Sequence, residues 1–286
     1  MKVIFYNIVH VGDIVISKPF VREIIKQLPH NEFYYSHFQS KLITEDLCSF
    51  ETPQGCSNET DEFISQSPDC MVIHTWLGRH GKILTKKLSE DSFKTCHFEQ
   101  QLDAYQSLLK PYGIDISYMG NAPEKHMWEI EDKYINGTLP IKKGFKVLIY
   151  TNESLSLQTD NVNQNKYIEE ISKDFPEVIF YVTSSLINKS NIICLNKHFK
   201  QKGLDLFQYA ELSKKCNIIT GGPSGPLIFS WLKSNLLDKN KTYVVQCKNE
   251  LGGCQFTSKQ KNKTLRVKST KELYETLKDE IKNGLQ

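Results

Sequence analysis

Two short stretches of this chain hold the residue types that acid–base and anion chemistry require. The first is Val9-His10-Val11-Gly12-Asp13-Ile14-Val15-Ile16-Ser17, a Gly-Asp segment between two apolar runs. Gly12 permits a tight turn, and Asp13 would then stand at the carboxyl end of a strand near a helix N-terminus, where a carboxylate can take a proton from a bound hydroxyl. The same residue could instead cap the helix, and spacing alone favours the cap. The second stretch is Cys216-Asn217-Ile218-Ile219-Thr220-Gly221-Gly222-Pro223-Ser224-Gly225-Pro226. Its glycines allow close approach, and a hydroxyl at a helix start adds to backbone amides that suit a diphosphate. It lacks the Lys of a Walker sequence and the spacing G-x-G-x-x-G, so neither an ATPase nor an ordinary dinucleotide site is expected. Gly-Pro turns also serve purely structural ends.

Both stretches need elements to hold them. The apolar run Lys2 to Val9 predicts a buried strand, followed by a helix with Pro19 in its first turn and Phe20, Ile24 and Leu28 on one face. Residues 32–38 and 70–76 predict further strands, residues 98–109 a helix, and the polar stretch Thr44 to Pro68 a surface excursion. Leu139-Pro140-Ile141-Lys142-Lys143-Gly144 has the composition of a linker. It divides the chain into domains 1–140 and 145–286, in line with a length of 286 residues at roughly 150 per domain.

In the second half, residues 145–151, 178–183, 191–195, 217–220, 242–247 and 264–267 predict strands. Helices are expected over 166–175 and 204–215, from the turn at Gly221 through Leu236, and from about Thr270 to Lys282. The last carries Ser269 and Glu272 as a capping box, with Gly284 just past its end. Alternating strands and helices in both halves predict two open α/β domains whose ligands bind at the carboxyl ends of the strands.

Composition narrows the class. The formal charge of +3 is spread over a mixed surface, which argues against nucleic acid as the main partner and leaves acidic small ligands open. No stretch has the roughly 18 consecutive apolar residues of a membrane span, so a soluble protein is expected. Val3 to Ile16 is interrupted by Asn7, His10 and Asp13 and reads as a strand rather than a leader. Eight cysteines without a C-x-x-C pair fit a reducing compartment, and six N-x-S/T sequons are attributed to the Asn-rich composition. Cys247 and Cys254, with no nearby His, predict no zinc site. His74 closes a strand, where a hydrogen-bonded core His is the commoner role and an acceptor contact the functional one. Lys259 to Lys263 reads as a solvated turn, and Phe229 and Trp231 as core or domain-interface residues.

Taken together, the two loops resemble those of the lipopolysaccharide heptosyltransferases. The Gly12-Asp13 segment, with Pro19 two residues past Ser17, looks like the family's N-terminal signature, and Ser224-Gly225-Pro226 like its C-terminal Thr-Gly-Pro turn. Gln101 to Tyr105 through Leu108-Leu109 and Tyr112-Gly113-Ile114 is similar to the family's helix ending in Leu-Gly-Ile, and Lys166-Tyr167 falls where the family has a Lys near a Trp. Pro223 stands in place of the family's acidic residue, and Leu227 and Ile228 where a His often follows.

The resemblance implies a GT-B α/β fold, with two Rossmann-like domains facing across a cleft. The acceptor would lie in the N-terminal domain and the nucleotide-sugar donor in the C-terminal one. Carried over by position, it makes Asp13 the general base, with His10, Gly12 and His74 near the acceptor. Thr151, Asn152, Lys166, Gly222, Ser224, Gly225 and Pro226 would lie around the donor diphosphate. The expected activity is that of a cytoplasmic, inverting, metal-independent glycosyltransferase with no cofactor beyond its nucleotide-sugar donor. Its acceptor would be a glycan or glycolipid, which leaves room for a peripheral membrane contact. The alternatives are a non-catalytic nucleotide-sugar or glycan-binding scaffold and a nucleotide-sugar epimerase.

Overall fold

A computed structural model describes residues 1–7, 11–51, 63–76, 96–131, 139–151, 164–199, 205–222, 225–247 and 255–286. They form two compact units, Met1–Met127 and Trp128–Gln286. The change of unit falls well before the expected linker at 139–144. Trp128 decides this: its ring meets Phe229 edge-on at 5.5 Å and its carbonyl accepts from Lys233 N. Glu129 adds a bond from Ser234 N at 2.9 Å. Residues 140–142 are likewise tied to the second unit, because Tyr181 OH donates to Pro140 O and accepts from Lys142 N.

The first unit holds β1 (Lys2–Tyr6), β2 (Glu32–Ser36), β3 (Ser49–Glu51), β4 (Ile64–Gln66) and β5 (Cys70–His74), in the order β3-β2-β1-β5-β4. Only β4 runs antiparallel. The stretch expected as an excursion thus supplies both edge strands. Three-residue edge strands carry little apolar signal, and their pairing with β2 and β5 decides them.

Helix α1 (Val11–Gln27) begins earlier than expected, so Gly12 and Asp13 lie in its first turn and Pro19 in its interior. Proline there removes the bond to the Val15 carbonyl. Packing outweighs that loss, because Phe20 stacks on Phe98 and Tyr105 of α2 (His97–Leu109) at 5.2 and 4.8 Å. Ile14, Val15, Ile16, Val21 and Ile24 are buried with it, which also overrides the weak helix propensity of the β-branched run.

The second unit holds six parallel strands: β6 (Lys146–Tyr150), β7 (Ile179–Val182), β8 (Ile192–Cys194), β9 (Ile218–Gly221), β10 (Thr242–Gln246) and β11 (Lys263–Val267). Their order, β11-β10-β9-β6-β7-β8, is that of a Rossmann sheet, with the switch point between β6 and β9. Helices α3 (Asn165–Asp174) and α7 (Thr270–Leu285) cover one face over a core that includes Ile149, Ile171, Phe180, Val244 and Leu277. Gly284 lies inside α7, not past it. A Cβ there would sit 2.5 Å from the Phe145 ring, so glycine lets the last turn close over that ring.

Between β8 and β9 runs α4 (Asp205–Ser213). The single helix expected from Gly221 to Leu236 is instead two short ones, α5 (Gly225–Phe229) and α6 (Lys233–Leu236). The break is built by side chains. The Ser230 carbonyl accepts from Tyr243 OH at 2.5 Å and Asn235 Nδ2 at 2.8 Å, which diverts it from a helical partner. Phe229 and Trp231 are buried beside this break, as core residues of the second unit.

Candidate functional site

Open α/β sheets present ligand-binding loops where the strand order reverses. In the first unit that point lies between β1 and β5, whose ends pair Tyr6 with His74. Chain leaving β1 enters α1, so Asp13 stands in the first turn of the helix that rises from this point, where the helix dipole favours a carboxylate. Asp13 is the third helical residue, so it is not the cap that spacing favoured. Burial pushes its carboxyl up to about 7, against a smaller opposite pull from its own main-chain N–H. A carboxyl that titrates near neutrality can both accept and release a proton at working pH.

Beneath Asp13 lies a set of buried hydroxyls. Ser17, one turn further along α1, donates to Ile14 O at 2.7 Å and meets Tyr35 OH at 2.9 Å. Tyr35 OH meets Thr75 Oγ1 at 2.5 Å, and Tyr105 OH donates to Thr75 O at 3.3 Å. Ser17 and Tyr105 entered the sequence reading only as members of short motifs, and Tyr35 and Thr75 only as members of expected strands, because a serine and a tyrosine 18 residues apart share no spacing rule.

His74 is buried, with its ring edge-on to Tyr6 at 5.2 Å, in the manner of a core histidine at the mouth of the switch point. Gly12 is buried in α1, and His10 lies outside the described residues. Farther along α1, burial works to raise the Asp46 carboxyl, and Lys18 at 2.6 Å and Arg22 at 2.6 Å overcome it and hold it below its usual range. This pair of ion contacts fastens the segment after the Lys41–Ile43 turn to the helix.

In the second unit the switch point brings Thr151, at the end of β6, beside Gly221 and Gly222, at the end of β9. Gly221 has φ +149, and a Cβ there would lie 2.8 Å from Tyr150 Cβ. Thr151 spends its hydroxyl inside the protein, donating to Ser184 O at 2.7 Å and accepting from Ser184 N at 3.0 Å. It therefore shapes the rim of the site. Lys166 is exposed in the first turn of α3, the helix that follows β6. Gly225 and Pro226 open the five-residue α5, and Asn152 and Ser224 lie outside the described residues. A separate cavity of about 510 Å³ runs along edge strand β8 between Ile141, Ile187, Ile193 and Lys197, away from this rim.

Two Rossmann-like units in series are also what solved structures of similar fold contain. Escherichia coli ADP-heptose lipopolysaccharide heptosyltransferase II aligns over 100% of this chain and 98% of its own, with a TM-score of 0.55 at 11% identity. E. coli heptosyltransferase WaaC with ADP aligns over 99% and 100%, with a TM-score of 0.53 at 12% identity. The fold is that of the heptosyltransferases. This GT-B type of α/β architecture is what the loop resemblance implied.

A third solved structure with this fold is the dodecameric iron-containing heptosyltransferase TibC in complex with ADP-D-beta-D-heptose. It aligns over 93% of this chain and 61% of its own, with a TM-score of 0.52 at 12% identity. No family model matches the heptosyltransferase-like chain, and no curated protein matches it. Among its described residues, no three His, Cys, Asp or Glu side chains are grouped as metal ligands would be, and no helix is long and apolar enough to cross a membrane.

Proposed function

We propose that this chain is a glycosyltransferase that moves a sugar from a nucleoside-diphosphate donor to a hydroxyl of a glycan or glycolipid, with inversion and without a bound metal. The observation that carries the proposal is the place of Asp13, in the first turn of α1 at the first unit's switch point, where burial pushes its carboxyl up to about 7. The acceptor hydroxyl would give its proton to Asp13 as its oxygen bonds the anomeric carbon. The bond from that carbon to the diphosphate breaks on the opposite face, and the leaving group keeps the electron pair. Main-chain amides near Gly222, Gly225 and Pro226, with Asn152 and Ser224, would bind the diphosphate. Lys166 would meet its developing charge, and Thr151 would shape the rim. Gly12, His10 and His74 would line the acceptor side.

In this reading the first unit holds the acceptor and the second the donor. The free cysteines Cys48, Cys70, Cys96, Cys194, Cys216 and Cys247 suit a reducing cytoplasm. ADP is the first nucleotide to test, since WaaC was solved with ADP and TibC with ADP-D-beta-D-heptose. Thermal shifts with ADP, GDP, UDP, CMP and dTDP would identify the nucleotide, at about 2.7 kcal/mol of stabilisation for a ligand at 100 times its Kd. The matching nucleotide sugar is then assayed with wild type and Asp13→Asn. Slow donor hydrolysis or transfer that Asp13→Asn abolishes supports the proposal. Release of a C2-inverted sugar would make the protein an epimerase, binding without turnover a scaffold, and full activity in Asp13→Asn would remove the base.

A further inference from the structure

We infer that Ser17, Tyr35 and Thr75 form a positioning chain that fixes the first turn of α1, and with it the Asp13 carboxyl, against the carboxyl ends of β2 and β5. The inference rests on the reading of Asp13 as the base. Its geometric ground is a line of hydroxyl contacts that joins three elements not adjacent in sequence. Ser17 comes from α1, Tyr35 from β2, and Thr75 from the residue that follows β5. All three are buried.

Counting hydrogens shows why the chain has a direction. Three hydroxyls carry three protons but make four contacts, with Ile14 O at 2.7 Å at one end and Tyr6 O at 3.4 Å at the other. One of the four must therefore go without a proton, and the longest, to Tyr6 O, is the one that does. Ser17 then donates to Ile14 O, Tyr35 donates to Ser17, and Thr75 donates to Tyr35. Every proton then points toward α1, and the carbonyl of Ile14, next to Asp13, is held by the last one. Tyr105 from α2 braces the far end through the Thr75 carbonyl.

The titratable groups that face Asp13 from these packed elements are Tyr35 on β2 and Tyr105 on α2, both held neutral by burial. Cys48, next along, is also pushed up by burial, to about 12. Among the described residues, then, the groups around Asp13 carry no charge at neutral pH that would pull its carboxyl down. Asp13 itself is half-buried, so the fit of the first turn onto the sheet sets how much water reaches its carboxyl, and the hydroxyl chain is what holds the fit.

The experiment is a titration of Asp13 by carbon NMR, with the signal assigned through Asp13→Asn, in wild type, Tyr35→Phe, Thr75→Val and Thr75→Ser. Tyr35→Phe and Thr75→Val should loosen the turn, admit water and lower the Asp13 midpoint by one pH unit or more, and Thr75→Ser should restore it. In turnover the same two variants should lose tenfold or more in kcat with donor KM held within twofold, and their acid limb should move with the NMR midpoint. A folded Tyr35→Phe or Thr75→Val with the wild-type midpoint overturns the inference, whatever its turnover. Loss of stability without a shifted midpoint would mean simple packing and overturns it too. The titration needs no substrate, so a wild type without transferase activity ends the functional reading while the fate of the chain is still decided. Should Tyr35→Phe fail to fold, the Thr75 pair carries the test.

Discussion

Tyr150 and Gly221 face each other across β6 and β9 so closely that a Cβ on residue 221 would lie 2.8 Å from Tyr150 Cβ and 2.9 Å from Tyr150 O. The contact sits at the Rossmann switch point, and Gly221 also adopts φ +149, which a side chain disfavours. Backbone atoms on Tyr150 cannot step aside. Gly221→Ala should therefore cost about 3 kcal/mol in urea unfolding, combining overpacking with backbone strain, and should weaken nucleotide binding by distorting the start of the second loop.

Asp13 makes stability depend on pH in an unusual sense. Its folded carboxyl titrates near 7 against an ordinary 3.8, so between those values the folded protein holds a proton that the unfolded chain has lost. Stability from this group is full below about pH 4 and falls as pH rises through 7. Asp13→Asn should match wild type near pH 4 and exceed it by about 1 kcal/mol or more at pH 8, read from urea midpoints. Wild-type turnover should rise with pH through about 7 as the base ionises.

His37 works in the opposite direction. Burial lowers its ring to about 4, and it meets Thr44 Oγ1 at 2.9 Å and packs edge-on to Phe50 at 5.0 Å. Between pH 6.5 and 4 the unfolded chain binds a proton that the folded protein refuses, so this group costs stability as pH falls. His37→Gln should be less stable at pH 8 through lost packing, yet should show a shallower acid-side decline from pH 6.5 to 4.

Lys241 is buried and donates to three carbonyls at the end of α4: Ser213 O at 2.9 Å, Lys214 O at 3.1 Å and Cys216 O at 2.6 Å. Burial holds its pKa below the usual lysine value, but the carbonyls take the place of a charge partner. Lys241→Met keeps the volume and strands those acceptors. It should cost about 2 to 4 kcal/mol, more than an exposed lysine would, by urea unfolding.

Ser269 accepts from Glu272 N at 3.2 Å, and the Glu272 carboxylate returns to Lys268 N at 2.7 Å. The box is thus shifted by one residue on its return side. Ser269→Ala should cost about 1 kcal/mol. Glu272→Gln, which keeps an acceptor, should cost less in the same thermal melt.

Local sequence determined the strands and helices whose signal is contained in a short window. Short apolar runs such as Val147 to Tyr150 and Ile218 to Thr220, bounded by turn residues, read as buried strands, and the four-residue spacing of Leu273, Leu277 and Ile281 in the last helix and its Ser269 cap needed no partner to be read. The order of alternating elements, together with two loops, was enough to expect the fold, because βαβ connections leave few topologies open.

Tertiary structure decided what depends on residues far apart. The edge strands β3 and β4 exist through their pairing. α1 runs through Pro19 because Phe20 stacks on α2, and the helix after Gly225 breaks because Tyr243 and Asn235 take the Ser230 carbonyl. The candidate site follows the same division. Asp13 stood out by its neighbours in sequence, whereas its raised pKa and the hydroxyls of Ser17, Tyr35 and Thr75 beneath it arise from burial and from contacts across as many as 69 residues, which no local spacing encodes.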